Sequence, residues 1–292
     1  MNSILVIGPT AVGKTAFAME LAEKHGGEIL SADSMQIYKG LSIGTAKPTA
    51  DEQRRVRHHL IDLVEPEEAF SVAEYRRLAA AALKDMWARG KLPIICGGTG
   101  LYVHSLLYEM DFSGSGEDGA RRARYMQMAE KEGAGALHAQ LAALDPAAAE
   151  RIHPNNVKRV VRALERIETG VETDGLRPFD NAWKRSDLLD PKIYYLVRER
   201  AQLYARIDAR VDALMEAGLL GEVRGLKDKG LGTEKIAMLG IGYKELLGYL
   251  DGEYDMAEAV RLIKRNTRRY AKRQMTWFSR YPQAEQVDLT GR

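Results

Sequence analysis

The sequence predicts an α/β fold: a P-loop NTPase-like parallel sheet covered by helices and carrying an inserted all-helical domain. Three observations predict it. The β-branched run Ile4 to Ile7 breaks into Gly8-Pro9-Thr10-Ala11-Val12-Gly13-Lys14-Thr15 and then into helix-forming residues from Ala16 onward. Further short apolar runs alternate with helical stretches through the first third of the chain, the pattern of a parallel sheet. Residues 113–188 then lose every strand signal before an apolar run returns at Lys192 to Val197. The catalytic core is accordingly expected at 1–112 and 189–292, with the helical insertion at 113–188.

The first strand and its loop form a phosphate cradle. Glycines let successive backbone N–H groups turn inward on an anion, the following helix adds the positive end of its dipole, and Lys14 supplies a mobile cation. Thr15 is placed to hold a magnesium ion. The loop does not say which phosphate is held. The second strand, Glu28 to Ala32, ends at Asp33. Neighbouring parallel strands deliver their carboxyl ends to one crevice, so Asp33 should face the cradle. A carboxylate there can hold magnesium, act as a general base or cap the next helix.

A third strand is expected at Leu60 to Leu63. His58 and His59 precede it without a cysteine or carboxylate cluster at metal-ligand spacing, so no zinc site is expected. A helix from Ala73 to Arg89 leads to the fourth strand, Leu92 to Cys96, where Pro93 sits near the start and is tolerated. That strand ends in Gly97-Gly98-Thr99-Gly100-Leu101-Tyr102. These glycines permit either close approach to a ligand or a simple turn into a helix, and Thr99 offers a hydroxyl to the same crevice. The Gly-x-Gly-x-x-Gly spacing of a dinucleotide site is missing.

Polar stretches at Asp111 to Gly119 and Thr173 to Asp190 bracket the insertion. Within it, Lys158, Arg159 and Arg162 fall on one side of a helix. From Arg200 to Phe278 the chain is helical with a Gly-rich break at Leu239 to Lys244. Near its end Arg261, Lys264, Arg265, Arg268, Arg269, Lys272 and Arg273 occupy about half of a helix circumference. Such a single-sign surface repels itself unless an anion offsets it, which favours a polyanionic partner. Tyr270, Trp277 and Phe278 lie mainly opposite and read as core.

Composition narrows the function classes. A net charge of +2 over 292 residues makes no overall case for nucleic acid, so any basic footprint is local. The single cysteine, Cys96, sits in an apolar run and reads as a buried hydrophobe rather than a nucleophile. No basic leader and no membrane-length apolar stretch is seen, so a cytoplasmic chain with no membrane partner is expected; a monomer is expected as well.

Taken together, Gly8 to Thr15, Ser31-Ala32-Asp33-Ser34-Met35-Gln36-Ile37-Tyr38, Ile43-Gly44-Thr45-Ala46-Lys47-Pro48, Gly97 to Tyr102 and Ala271-Lys272-Arg273-Gln274-Met275-Thr276-Trp277-Phe278 resemble the bacterial tRNA dimethylallyltransferases, in that family's order. The resemblance spans nearly the whole chain. It implies transfer of a dimethylallyl group from dimethylallyl diphosphate to N6 of adenosine 37 beside the tRNA anticodon, with Mg2+ as cofactor. By resemblance Asp33 is the general base, Thr99 the catalytic threonine, and Gly8 to Thr15 with Arg206 and Arg210 grip the diphosphate. Contacts to the tRNA anticodon stem-loop are implied for Asp33, Ser34, Met35, Gln36, Thr99, Arg122, and for Lys158, Arg159, Val160, Val161 and Arg162. Lys272 and Arg273 belong to the basic C-terminal helix expected to hold the same stem-loop. The chain departs from the family pattern at Lys158, where glutamine is usual. The alternatives are a small-molecule or nucleotide kinase with a helical lid, prenylation of a free adenine nucleotide, and an RNA-binding protein with a relic P-loop.

Overall fold

The computed structural model describes residues 3–110, 112, 119–170 and 184–291. Six strands among them form one parallel sheet: β1 (Ser3–Ile7), β2 (Glu28–Ser31), β3 (His58–His59), β4 (Pro93–Cys96), β5 (Pro191–Val197) and β6 (Glu285–Asp288), in the spatial order β3-β2-β4-β1-β5-β6. The chain divides into two compact units, one of Met1–Leu107 with Asp187–Arg292 and one of Tyr108–Ser186. The polar stretches expected to bracket the insertion fall largely outside the described residues. Among the described residues no helix is long and apolar enough to cross a membrane.

In the first unit, β1 is buried along its whole length, as a central parallel strand covered on both faces must be. One face of the sheet, through Ile4, Val6, Ile29 and Ile94, packs on Ala18, Met19 and Ala22 of α1 (Lys14–His25). Leu203 and Ile207 of α9 (Arg200–Glu216) close the same cluster. On the other side α3 (Val72–Ala88), which follows the short α2 (Ala50–Arg55) and precedes α4 (Gly100–Leu107), buries Tyr75, Ala79, Leu83 and Met86 along one stripe. Each buried Ile, Leu, Val or Met among them contributes about 1.5–3 kcal/mol by leaving water, which fixes the strand ends that carry the site. A separate cluster embeds Ile37, Tyr38 and Leu41 among α10 (Leu219–Asp228), α11 (Tyr243–Leu250) and α12 (Met256–Phe278).

Two strands differ from expectation. The third is His58–His59, pairing with Ile29 and Leu30, and not Leu60 to Leu63. Leu60 and Asp62 take positive φ values of 61° and 53°, which turns the chain away from the sheet. The displaced run pairs instead with the segment after β2, where the amide of Leu63 donates to the carbonyl of Ile37 at 2.6 Å and that of Lys39 to Val64 at 2.9 Å. β6 carried no apolar run to announce it. It is an edge strand, mostly exposed, held by pairing Tyr194 to Val197 with Glu285 to Asp288.

β2 and β4 approach so closely past their ends that a Cβ on Gly97 would lie 2.2 Å from the carbonyl oxygen of Ala32. Backbone cannot yield there as a flexible side chain could. Gly97→Ala is therefore expected to lower the unfolding free energy by about 3 kcal/mol, read as a lower denaturant midpoint with unchanged slope.

The second unit is helical: α5 (Gly119–Glu132), α6 (Ala134–Leu144), α7 (Pro146–Arg151) and α8 (Val157–Glu168). Its core joins Tyr125, Leu137, Leu141, Ala148, Val160, Val161 and Leu164. The side chain of Asp145 caps α7 by accepting from the amide of Ala148 at 2.8 Å, with Pro146 in the first helical turn where its missing N–H costs nothing.

Candidate active site

At the carboxyl ends of the strands the first unit encloses a cavity of about 590 Å³. The loop after β1 forms one wall. Gly13, at φ 118°, starts α1, and Ala11 takes the left-handed region at φ 62°, which costs a non-glycine residue about 1 kcal/mol. Thr10, Ala11, Gly13, Lys14 and Thr15 line the cavity. Gly8, Pro9 and Val12 do not; Val12 is core, and a Cβ on Gly8 would meet the carbonyl of Leu196 at 2.7 Å. The Lys14 ammonium folds back on the carbonyls of Gly8 at 3.0 Å and Pro9 at 2.8 Å. Burial pulls its pKa down to about 8, against the opposing pull of Asp33.

Asp33 and Arg210 also line this cavity, and each feels the other's charge. Burial lowers the Arg210 pKa while the Asp33 carboxylate raises it. Arg206, one turn earlier, donates through Nε to the carbonyl of Ala11 at 3.1 Å. Asp33 Oδ1 accepts from the amide of Met35 at 2.9 Å, so one carboxylate oxygen closes a local turn. The Thr99 hydroxyl ties that turn to the end of β4: it accepts from the amide of Ser34 at 2.9 Å and donates to the Ser34 hydroxyl at 3.2 Å. Asp33, Ser34 and Thr99 thus form one hydrogen-bonded corner. Gln36 lines the cavity, whereas Met35 turns its side chain toward Gly240 and the neighbouring core.

Two residues of this site escaped the sequence reading. Gln274, on the inward face of α12, accepts from the amide of Thr10 at 2.7 Å and donates to the carbonyl of Gly98 at 2.9 Å, bridging the two glycine loops. It is the one polar side chain among the buried residues of α12, with Ala259, Ile263, Ala271 and Phe278. Tyr270 is not simply core, since it lines the cavity and its hydroxyl reaches the carbonyl of Gly98 at 3.4 Å. Burial pushes its pKa up, so the phenol stays neutral. Cys96 also lines the cavity, where burial raises its pKa to about 11 and keeps the thiol inert.

The basic helix needs a correction. Its charges are in part offset by the protein itself: Arg268 pairs with Asp208 at 2.6 Å, Lys264 with Asp212 at 2.6 Å, and Arg261 with Glu258 at 2.5 Å. At those three positions an acid of the protein itself offsets the charge, so no external anion is required there. Lys272 and Arg273 remain exposed, beside Thr276, Trp277 and Arg280 around a shallow groove. In the helical unit Arg122 holds Glu165 through two bonds of 2.9 Å, and Arg162 approaches the same carboxylate at 3.4 Å. Lys158 is exposed and Arg159 half-buried, while Val160 and Val161 are fully buried. The side chains of those two valines belong to the core of the helical unit.

The IPP transferase family model matches residues 36–281. The chain belongs to the IPP transferase family. It is 50% identical over 292 residues to a tRNA dimethylallyltransferase of Geobacillus thermodenitrificans, covering 98% of this chain and 90% of that one. To the enzyme of the same name from Bacillus subtilis it is 46% identical, covering 98% and 90%. Among solved structures it resembles the tRNA isopentenylpyrophosphate transferase of Bacillus halodurans, with 40% identity, a TM-score of 0.71 and coverage of 99% and 91%. It also resembles a eukaryotic dimethylallyltransferase described as acting on tRNA, with 29% identity, a TM-score of 0.83 and coverage of 99% and 74%. The α/β fold with its parallel sheet is that of these IPP transferase structures.

Proposed function

We propose that this IPP transferase moves the dimethylallyl group of dimethylallyl diphosphate onto N6 of adenosine 37 in tRNA, releasing diphosphate in the cytoplasm where tRNA acceptors reside. The observation that carries this reading is a single cavity lined by both the anion cradle and Asp33. The activities of the related tRNA dimethylallyltransferases and isopentenylpyrophosphate transferases supply the substrate class.

The exocyclic amine of adenine is a weak nucleophile, because its lone pair is delocalised into the ring. The donor must therefore be a strong electrophile, and an allylic C1 spreads positive charge over its double bond as the C1–O bond breaks. The electron pair of that bond leaves with the diphosphate. The cradle amides, Lys14 and Arg210 stabilise the growing charge on it. N6 forms its new bond to C1, and its proton passes to the free oxygen of Asp33. Thr99 fixes the turn that aims this carboxylate.

Magnesium fits the donor set. Among the described residues no group of three or more histidine, cysteine, aspartate or glutamate side chains could cage an ion. A threonine hydroxyl at the cradle and one nearby carboxylate suit a hard cation that keeps most of its water and leans on substrate phosphates. Thr15 would hold it, and when bound it neutralises diphosphate charge.

Exposed Lys158, Lys272 and Arg273 meet the stem-loop phosphates, so tRNA affinity should fall steeply with salt. The deciding experiment incubates the protein with dimethylallyl diphosphate, magnesium and unmodified tRNA, then digests the RNA for mass spectrometry. Prenylated adenosine is expected at position 37. Its absence, or phosphoryl transfer from ATP to a small acceptor, would overturn the reading.

A further inference from the structure

The segment Ser42 to Pro48 supplies Thr45, Ala46 and Pro48 to the wall of the same cavity. This segment has no regular secondary structure and holds Ala46 at a positive φ of 44°. Something outside it must keep it in place. Glu222 of α10 does so to an unusual degree. Its Oε2 accepts from the amides of Ser42 at 2.9 Å and Ile43 at 2.8 Å, and its Oε1 from the amide of Gly44 at 3.1 Å and the hydroxyl of Tyr243 at 2.6 Å. Three consecutive N–H groups close on one carboxylate as they would on a bound anion. The Tyr243 ring lies against Gly44 so closely that a Cβ there would come within 2.5 Å of it.

The wall in turn grips a cavity residue. The Gln36 amide nitrogen faces the carbonyls of Thr45 and Ala46, at 3.4 Å each, while its oxygen accepts from the Ser31 hydroxyl at 3.0 Å. A shift of the wall by a few tenths of an ångström would break both long contacts and free the amide to turn.

We propose that Glu222, clamped to Tyr243, is a positioning residue that acts through the Ser42 to Pro48 wall to orient the Gln36 amide toward the acceptor base. This role rests on the prenyl-transfer reading above, and no part of that reading assigns it. Glutamine at 222 would turn an N–H donor toward one set of backbone donors, so Glu222→Gln loosens the wall without changing its shape.

Single-turnover transfer to tRNA tests the coupling. Glu222→Gln is expected to slow transfer about tenfold with tRNA binding unchanged, and by less than about twofold in a Gln36→Ala background, the mark of two residues acting through one another. Tyr243→Phe, which removes one of the four bonds and keeps the ring on Gly44, should give a smaller loss with the same dependence on Gln36. Equal losses with and without Gln36, or a wild-type rate for both variants, would overturn the proposal. Amide hydrogen exchange at residues 42–44 reads the clamp independently of activity. Faster exchange in Glu222→Gln is expected, and unchanged exchange would overturn the clamp even if no prenyl transfer were found. Failure of transfer in the wild-type protein with a clamp-dependent exchange pattern would instead fault the catalytic reading.

Discussion

Replacing Asp33 by asparagine is expected to slow prenyl transfer by about 10³-fold, within the range for loss of a general base, while tRNA affinity stays within a few-fold. Asparagine is the sharper substitution because Asp33 has two separable jobs. One oxygen accepts from the Met35 amide and closes the turn that Thr99 holds through Ser34. An asparagine carbonyl can keep that bond, so the corner survives and only the proton acceptor is lost. Asp33→Ala removes both and should add a drop in thermal stability to the same loss of rate. A variant Asp33→Asn with most of its turnover would take the base role from this carboxylate and leave it the turn alone.

The comparison of Asp33 with Gln274 shows which parts of the site are legible in a sequence. The cradle, Asp33 and Thr99 each sit where a strand ends, and a parallel sheet gathers such ends at one edge whatever the rest of the chain does. Local signals therefore suffice to bring them together. Gln274 reaches Thr10 across 264 residues of chain, and its partners are backbone groups that carry no signature. Only the docking of α12 makes the bond. The same cause misplaced the charges of that helix. Lys264 and Arg268 look unpaired along their own helix, yet Asp212 and Asp208 of α9 lie opposite, four residues apart and on one face. Apolar runs mislead in the other direction. Leu60 to Leu63 have strand-like composition, but the edge strand ends at His59, and beyond the positive φ of Leu60 the chain carries Leu63 to another core.

The largest effect on the donor side should come from Lys14, and pH gives it a signature that simple damage cannot mimic. Its ammonium rests on two carbonyls in a site that pulls the pKa down from 10.5 to about 8, chiefly by burial. Below pH 8 the cation is present and can exchange those carbonyls for diphosphate oxygens. As pH rises through 8 the free protein loses that charge, so the KM for dimethylallyl diphosphate should climb while tRNA affinity changes little. Stability of the free protein moves the opposite way. The unfolded chain holds this proton up to about pH 10.4, so between pH 8 and that value it binds more protons than the folded state. Folding is therefore favoured as pH rises through that window. Lys14→Met should lower kcat/KM for the donor by about 10²–10³-fold, the cost of one donor to developing negative charge, and should flatten the rise of KM above pH 8. A donor KM that stays level from pH 7 to 9.5 in the wild-type protein, together with an unchanged kcat/KM in Lys14→Met, would remove the lysine from the diphosphate site and leave the cradle to its backbone amides and Arg210.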